Sequence, residues 1–134
     1  MIKHIVFFQL AENAEGKSKA ENAEFIKSRL ENLKNLIPEI LKIEVGVNVP
    51  NAPKTDYDIA LYSEFESFDT LDIYQEHPEH KQVAAYIGKV RTSRAAVDYE
   101  AKSPLILKKA EINSSFTANN TLHIEIISSN NYFL

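Results

Sequence analysis

The chain has 134 residues, of which 44% are hydrophobic and 25% are charged, the proportions of one soluble globular domain. Its 15 Lys and Arg residues against 19 Asp and Glu give a formal net charge of −4, which argues against a general nucleic-acid binder, since such proteins need a basic face. Because cysteine is absent, disulfide frameworks, thiolate nucleophiles and Cys-ligated metal sites are excluded.

The opening residues predict a strand rather than a targeting signal. Residues 2–10 are rich in β-branched and aromatic side chains, alternate too regularly for a signal peptide and lack its small-residue cleavage site. One face of this strand would carry Ile2, His4, Val6, Phe8 and Leu10, and the other face Lys3, Ile5, Phe7 and Gln9. No later run approaches the roughly 20 apolar residues of a membrane helix. We therefore expect a cytoplasmic protein with no membrane partner.

A helix and two strands are predicted next. Apolar residues follow the helical period from about 17 to 37, and Pro38 ends this helix. Alternation over residues 41–49 predicts the second strand, and residues 57–65 predict the third.

Two further helices and a final strand complete the pattern. Ser67 is a suitable N-cap for a helix that would bury Phe68, Leu71 and Tyr74. Pro78 breaks this helix and begins another, because proline is tolerated at the first helical position. The new helix would turn Val83, Tyr86, Ile87 and Val90 inward, and residues 95–100 would form the fourth strand.

The order β-α-β-β-α-β predicts an α+β, ferredoxin-like fold, with an antiparallel sheet and helices on one face. The other face would expose Ile5 and Phe7, an apolar patch that needs cover. We therefore expect a homodimer formed through the open sheet faces. Residues 103–134 lie outside this pattern. This C-terminal extension is interpreted as two short strands, 105–107 and 122–127, as a tail that contacts the partner, or as partly disordered.

Several motifs occur in order over residues 1–100. They are Lys3-His4-Ile5-Val6, Ile37-Pro38, Val45-Gly46-Val47-Asn48, Tyr57-Asp58-Ile59, Phe65-Glu66-Ser67, Tyr74-Gln75-Glu76-His77-Pro78-Glu79-His80 and Asp98-Tyr99. Together they resemble the stress-responsive A/B barrel (Dabb) family. The resemblance implies that residues 1–102 form this domain and that the sheets of two protomers close a dimeric α/β barrel. It implies little about activity, because many members have no established reaction.

The resemblance also suggests a site. Plant polyketide cyclases of this family use a helix histidine and a tyrosine at positions that match His80 and Tyr74, and a strand histidine that matches His4 lines their pocket. An aldol cyclisation needs a base with a pKa near that of histidine and a donor to the developing oxyanion. Where those enzymes carry a second pocket histidine, this chain has Asp58, which changes the charge of the pocket.

Structural roles are open to the same side chains. His77 would lie near a helix cap and His80 could bond to backbone, while Tyr74 would lie in the core and His4 would be hydrogen-bonded on its strand. His77 and His80 could also share a metal with Asp58 or His4, but Pro78 between them disturbs that geometry. No metal or cofactor is predicted.

Three functions remain open at this stage. The first is a small dimer that binds a small hydrophobic ligand between helices and sheet, without established catalysis, in a cavity lined by Phe25, Ile26 and residues 83–90. His4, Asp58 and His77 are predicted to contact this ligand. The second is a cofactor-independent aldol-type cyclase or lyase with His80 as base and Tyr74 as donor. The third is a structural oligomer without a pocket.

Arg91 and Arg94 are interpreted as a solvated helix end, with anion binding as the alternative.

Overall fold

The computed structural model describes residues 1–102 and the short strands at 115–116 and 122–123. The chain divides into two compact units, Met1–Glu100 and Ala101–Leu134. The elements of the first unit, in chain order, are β1 (Ile2–Leu10), β2 (Asn13–Ala14), β3 (Lys17–Ser18), α1 (Lys19–Leu36), β4 (Lys42–Val47), β5 (Ile59–Phe65), α2 (Phe68–Glu76), α3 (Pro78–Val90) and β6 (Arg91–Glu100).

Four of these strands form one antiparallel sheet in the order β4-β5-β1-β6. β1 is central, so each of its residues has a neighbour on both sides: His4 lies opposite Ser63 of β5 and Asp98 of β6. The register of β1 and β6 shifts at Gln9 and Leu10. This sheet, covered by helices, confirms the predicted α+β, ferredoxin-like fold.

The core lies between one face of the sheet and the three helices. His4 and the apolar residues predicted beside it on β1 are buried there, which confirms the assignment of the two faces. Other fully buried residues of this core include Ile26, Leu30, Leu33, Ile37, Ile40, Val45, Ile59, Phe65, Tyr74 and Val90. On the opposite face Phe7, Val97 and Tyr99 remain 36%, 50% and 43% exposed in the single chain. That open face therefore carries an exposed apolar surface around Ile5, Phe7 and Val97.

Local hydrogen bonds explain where the helices begin. Helix α1 starts at Lys19 rather than at residue 17, because Ser18 and Glu21 form a reciprocal capping box. The preceding residues form the β2–β3 hairpin, which turns through Glu15 and Gly16 at positive φ and was not predicted. Ser67 caps α2 as expected. Phe68, however, is 52% exposed at the first position of that helix instead of buried.

The last strand is longer than predicted. β6 begins at Arg91, directly after α3, so residues 91–94 belong to the sheet and not to a helix end. In the second unit, β7 (Ser115–Phe116) pairs antiparallel with β8 (Leu122–His123). Strand β8 lies within the strand predicted at 122–127. The strand predicted at 105–107 lies outside the described residues. Among the helices of the described part of the chain, none has the length and apolarity needed to cross a membrane.

Candidate functional site

A cavity of about 160 Å³ lies between the covered face of the sheet and helix α3. Its lining residues come from the six elements β1, α1, β5, α2, α3 and β6: His4, Val6, Phe8, Leu30, Leu61, Gln75, His80, Ala84, Ile87, Arg91 and Arg94. An apolar cavity on which a few polar groups converge is the usual form of a small-molecule site. Two wider and more open depressions surround the segment 47–58, and neither contains a histidine.

His80 lies in the first turn of α3 and is held in one orientation by a carbonyl at the end of α2. Its Nδ1 donates a hydrogen bond to the carbonyl oxygen of Gln75 at 3.0 Å, and since a carbonyl only accepts, Nδ1 carries the proton. In the neutral ring, Nε2 therefore keeps its lone pair. Burial lowers the pKa of His80 below 6.5, and the charges of His4 and Arg94 lower it further. The hydrogen bond to Gln75 and the charge of Glu76 act in the opposite direction but are outweighed. At neutral pH this ring is a base.

His4 enters the cavity from the centre of the sheet. It is only 4% exposed, and its Nδ1 is hydrogen-bonded to the carboxylate of Asp98 directly across the β1–β6 pair. Its backbone is also held, because Ser63 Oγ donates to the His4 carbonyl at 3.2 Å. Sequence reasoning did not assign Asp98 to the site. The motif Asp98-Tyr99 was visible, but only the strand register places its carboxylate against His4.

Tyr74 packs behind His80 rather than lining the cavity. The ring centroids of the two residues are 4.4 Å apart, and a contact of 6.4 Å between centroids joins Tyr74 to His4. The residue is fully buried, and its hydroxyl finds no hydrogen-bond partner among the described residues. Burial also raises its pKa above the usual 10. The phenol is therefore a neutral donor with an unused proton.

Tyr74→Phe is expected to raise the free energy of unfolding by about 1 kcal/mol, because it removes a buried hydroxyl that lacks a partner. Urea denaturation at a fixed protein concentration measures this. The matched control is Tyr86→Phe, since the hydroxyl of Tyr86 donates to Asn22 Oδ1 at 2.6 Å. We expect the control to lower stability by about 1 kcal/mol or more, because it leaves the buried amide oxygen unpaired. Two losses of similar size would show that the Tyr74 hydroxyl is bonded.

Asp58 lies outside the cavity, contrary to the prediction that it shares a pocket with His80. It precedes β5, at the far end of β1, where its Oδ2 accepts the backbone N–H of Leu10 at 2.7 Å. The Asp58 N–H in turn donates to the Phe8 carbonyl at 2.9 Å, so this residue continues the β1–β5 hydrogen bonding beyond Ile59. Lys19 Nζ is 3.7 Å from its other oxygen. The contacts of Asp58 are structural.

His77 also lies outside the cavity and serves as the N-cap of α3. Its Nδ1 accepts the backbone N–H of Glu79 at 3.1 Å, and Pro78 occupies the first turn as expected. Because His77 Nδ1 accepts this backbone N–H, Nε2 carries the proton in the neutral ring, and His77 keeps no free lone pair for a metal shared with His80. Within residues 1–102, no three His, Asp or Glu side chains come together as metal ligands.

Phe25 and Ile26 were predicted to line the cavity, but neither residue does so. The Phe25 ring packs on Tyr86 instead.

Comparison with known proteins places the chain in a family. The sequence profile of the Stress Responsive A/B Barrel Domain matches residues 2–101. A dimeric protein of unknown function and ferredoxin-like fold from Bacteroides fragilis is 39% identical, with 74% of this chain and 94% of that chain covered and a TM-score of 0.66. A dimeric ferredoxin-like protein of unknown function from Thermobifida fusca is 26% identical, with coverages of 73% and 88% and a TM-score of 0.62.

A hydroxynitrile lyase from Passiflora edulis shares the fold alone, at 20% identity, coverages of 77% and 96% and a TM-score of 0.61. A search of curated proteins found no significant match. The family profile, over residues 2–101, covers all the strands and helices of the first unit, including its last strand β6. The solved relatives have the same ferredoxin-like architecture. The chain belongs to the stress responsive A/B barrel domain family.

Proposed function

We propose that the protein is a homodimer in which each subunit binds a small, largely apolar ligand in the cavity between α3 and the sheet. The observation that carries this proposal is the arrangement of two histidines, His4 buried and His80 half-buried, at one cavity with an apolar wall. His4 is oriented by Asp98 and His80 by the carbonyl of Gln75. Fixed polar groups beside an apolar wall are what a site needs to select and orient a ligand.

The size of the cavity limits the ligand. Its volume of about 160 Å³ is close to that of an engineered cavity of about 150 Å³ that binds benzene in another protein. Val6, Phe8, Leu30, Leu61 and Ile87 supply the apolar wall. The proposed ligand therefore has a compact apolar body about as large as one six-membered ring, and any further groups lie at the mouth.

Catalysis is the second candidate, and the tautomer of His80 favours it. A neutral imidazole whose Nε2 is unprotonated can remove a proton next to a carbonyl, as an aldol-type cyclase or lyase requires. His4 would then act as a pocket-lining partner. Tyr74 would supply its unpartnered hydroxyl to the developing oxyanion if the ligand reached behind His80. The structural oligomer without a pocket is less well supported, because a cavity does reach both histidines.

The dimer part of the proposal rests on the open sheet face. Phe7 and Val97 are exposed in the single chain, and the register places Val97 beside Ile5 and Phe7 beside Ala60. Such a surface is expected to be covered by a partner. The relatives from Bacteroides fragilis and Thermobifida fusca are described as dimeric. A two-fold arrangement would bury the same face of both subunits.

Ligand binding is tested by blocking the cavity. Ala84 lines it from an exposed position on α3, whereas its neighbour Ala85 is exposed on the same helix and does not line it. We expect benzene and small substituted benzenes to shift the amide NMR signals of His80, Ala84 and Ile87. Ala84→Trp should abolish these shifts and Ala85→Trp should leave them unchanged. An absence of shifts at the cavity, or equal behaviour of the two variants, would contradict the proposal.

The lowered pKa of His80 predicts a pH dependence of stability. The unfolded chain takes up the His80 proton near pH 6.5, and the folded protein does so only at lower pH, so the unfolded state binds more protons in this interval. The free energy of unfolding should therefore rise with pH through the window just below about 6.5. The stability that the neutral His80 contributes is fully present above about pH 6.5. It is lost as the pH falls from there through the folded pKa.

The matched variant for this measurement is His80→Gln, whose amide can still donate to the Gln75 carbonyl but does not titrate. The difference between wild type and variant should show the positive slope, because the other titrating groups cancel. Histidine C–H NMR titration gives the pKa directly. A difference that is flat between pH 5 and pH 7, or a folded pKa at or above the unfolded one, would contradict the prediction.

A further inference from the structure

Two arginines at the cavity are not used by the site described so far. Arg91 and Arg94 lie on β6 opposite Leu10 and Phe8, and because paired residues of an antiparallel sheet share a face, both project toward the covered side. Both line the cavity beside His80. The backbone of Arg91 is held at the end of α3, because β6 follows α3 without a loop and the Arg91 N–H donates to the Ile87 carbonyl.

The charge around these arginines is unbalanced. Among residues 1–102, no carboxylate forms an ion pair with either guanidinium. Two acids of these elements have other partners: Asp98 of β6 is bonded to His4, and Glu76, whose charge acts on His80, pairs with Lys81 at 2.8 Å. His80 carries no charge at neutral pH, because burial lowers its pKa. The mouth of an apolar cavity therefore presents two cationic groups without a counter-charge.

From this geometry, and on the basis of the function proposed above, we infer that the ligand is a small carboxylic acid bound as its anion. Its carboxylate would lie against Arg91 and Arg94 at the mouth, and its apolar body would fill the space over Val6, Phe8 and Ile87. Guanidinium groups bind carboxylates through paired, charge-assisted hydrogen bonds. A cavity about the size of one ring leaves a benzoate ring inside and its carboxylate at the arginines.

The inference is tested by comparing benzoate with benzamide, which has the same shape and no charge. Isothermal titration calorimetry with the full-length protein should show that benzoate binds about tenfold more tightly or better, the difference expected of a charged hydrogen-bonded group. Arg94→Gln and Arg91→Gln should each weaken benzoate binding by about tenfold and leave benzamide binding unchanged. The matched control is Arg29→Gln, because Arg29 lies over the ring of Phe25 and does not line the cavity.

A second readout follows from linkage. The groups that act on His80 from neighbouring elements are the Gln75 carbonyl and Glu76 of α2, His4 of β1 and Arg94 of β6. A carboxylate bound to Arg94 offsets a positive charge that lowers the pKa of His80, so benzoate should raise that pKa and benzamide should not. Inorganic phosphate, which has no apolar body, should not compete with benzoate at tenfold excess.

The outcomes separate this inference from the proposed function. Equal binding of benzoate and benzamide, with both lost in Ala84→Trp, would overturn the carboxylate assignment and leave the ligand site in place. Equal competition by phosphate would also overturn it, because the arginines would then bind anions without using the cavity. Binding of neither ring compound would overturn both proposals. Selective loss of benzoate in the two arginine variants supports the inference.

Discussion

Val97→Asp is expected to convert the protein from a dimer to a monomer at micromolar concentration. Val97 is 50% exposed on the open sheet face and lies opposite Ile5, in the middle of the apolar surface. In a two-fold dimer the substitution places a carboxylate in both halves of the interface. An unpaired buried charge costs several kcal/mol, and the two-fold axis imposes this cost twice.

Sedimentation velocity gives the mass of the species directly. The matched control is Ile73→Asp, because Ile73 is 49% exposed but lies on α2, on the helical side of the protomer. We expect the control to remain a dimer and both variants to keep the circular dichroism spectrum of the wild type. A dimeric Val97→Asp protein, or a monomeric Ile73→Asp protein, would show that the subunits do not meet through the open sheet.

Asp58→Ala is expected to lower the free energy of unfolding by about 2 kcal/mol and to leave ligand binding unchanged. The carboxylate accepts the Leu10 N–H at 2.7 Å at the point where the β1–β6 register shifts. Without it that N–H has no acceptor at a partly buried position. Asp58→Asn keeps an acceptor oxygen and should recover most of the loss. The distinction matters because sequence comparison alone suggested Asp58 as a ligand-binding residue.

The control for this experiment is Asp56→Ala, since Asp56 is exposed two residues earlier in the same loop. Its removal should change stability by less than about 0.5 kcal/mol. Urea denaturation of the three variants at one protein concentration provides the comparison. If Asp58→Ala weakened binding of the ring compounds while the free energy of unfolding stayed constant, the structural role would be wrong and the earlier ligand-binding assignment would be favoured.

Local sequence features predicted the elements and their faces well. The alternation in residues 2–10 placed His4 on the covered face, because successive side chains of a strand point to opposite sides. Ser67 and Pro78 marked the starts of two helices, since capping and proline act on the nearest turn of backbone. The β2–β3 hairpin was missed because strands of two residues carry no periodicity that could be detected.

Features that depend on pairing between distant segments were not predictable in the same way. Asp98 and His4 are 94 positions apart in the sequence. They meet only because β6 pairs with β1 in a register that places them opposite each other. Arg91 and Arg94 were interpreted as a helix end because the composition near residue 90 does not show that α3 passes directly into a strand. Tyr74 was expected to line the cavity. The His80 ring packs against the Tyr74 ring, so His80 lines the cavity and Tyr74 lies behind it.

The amino-acid sequence by itself therefore determined the fold class, the buried face of β1 that carries His4, and the place of His80 near the start of a helix. These follow from interactions over a few residues, whose period and capping groups are written directly in the chain. The tertiary structure alone decided which polar groups surround the two histidines and which predicted site residues instead support the backbone. Those outcomes depend on strand register and helix packing, which bring together atoms that no local pattern relates.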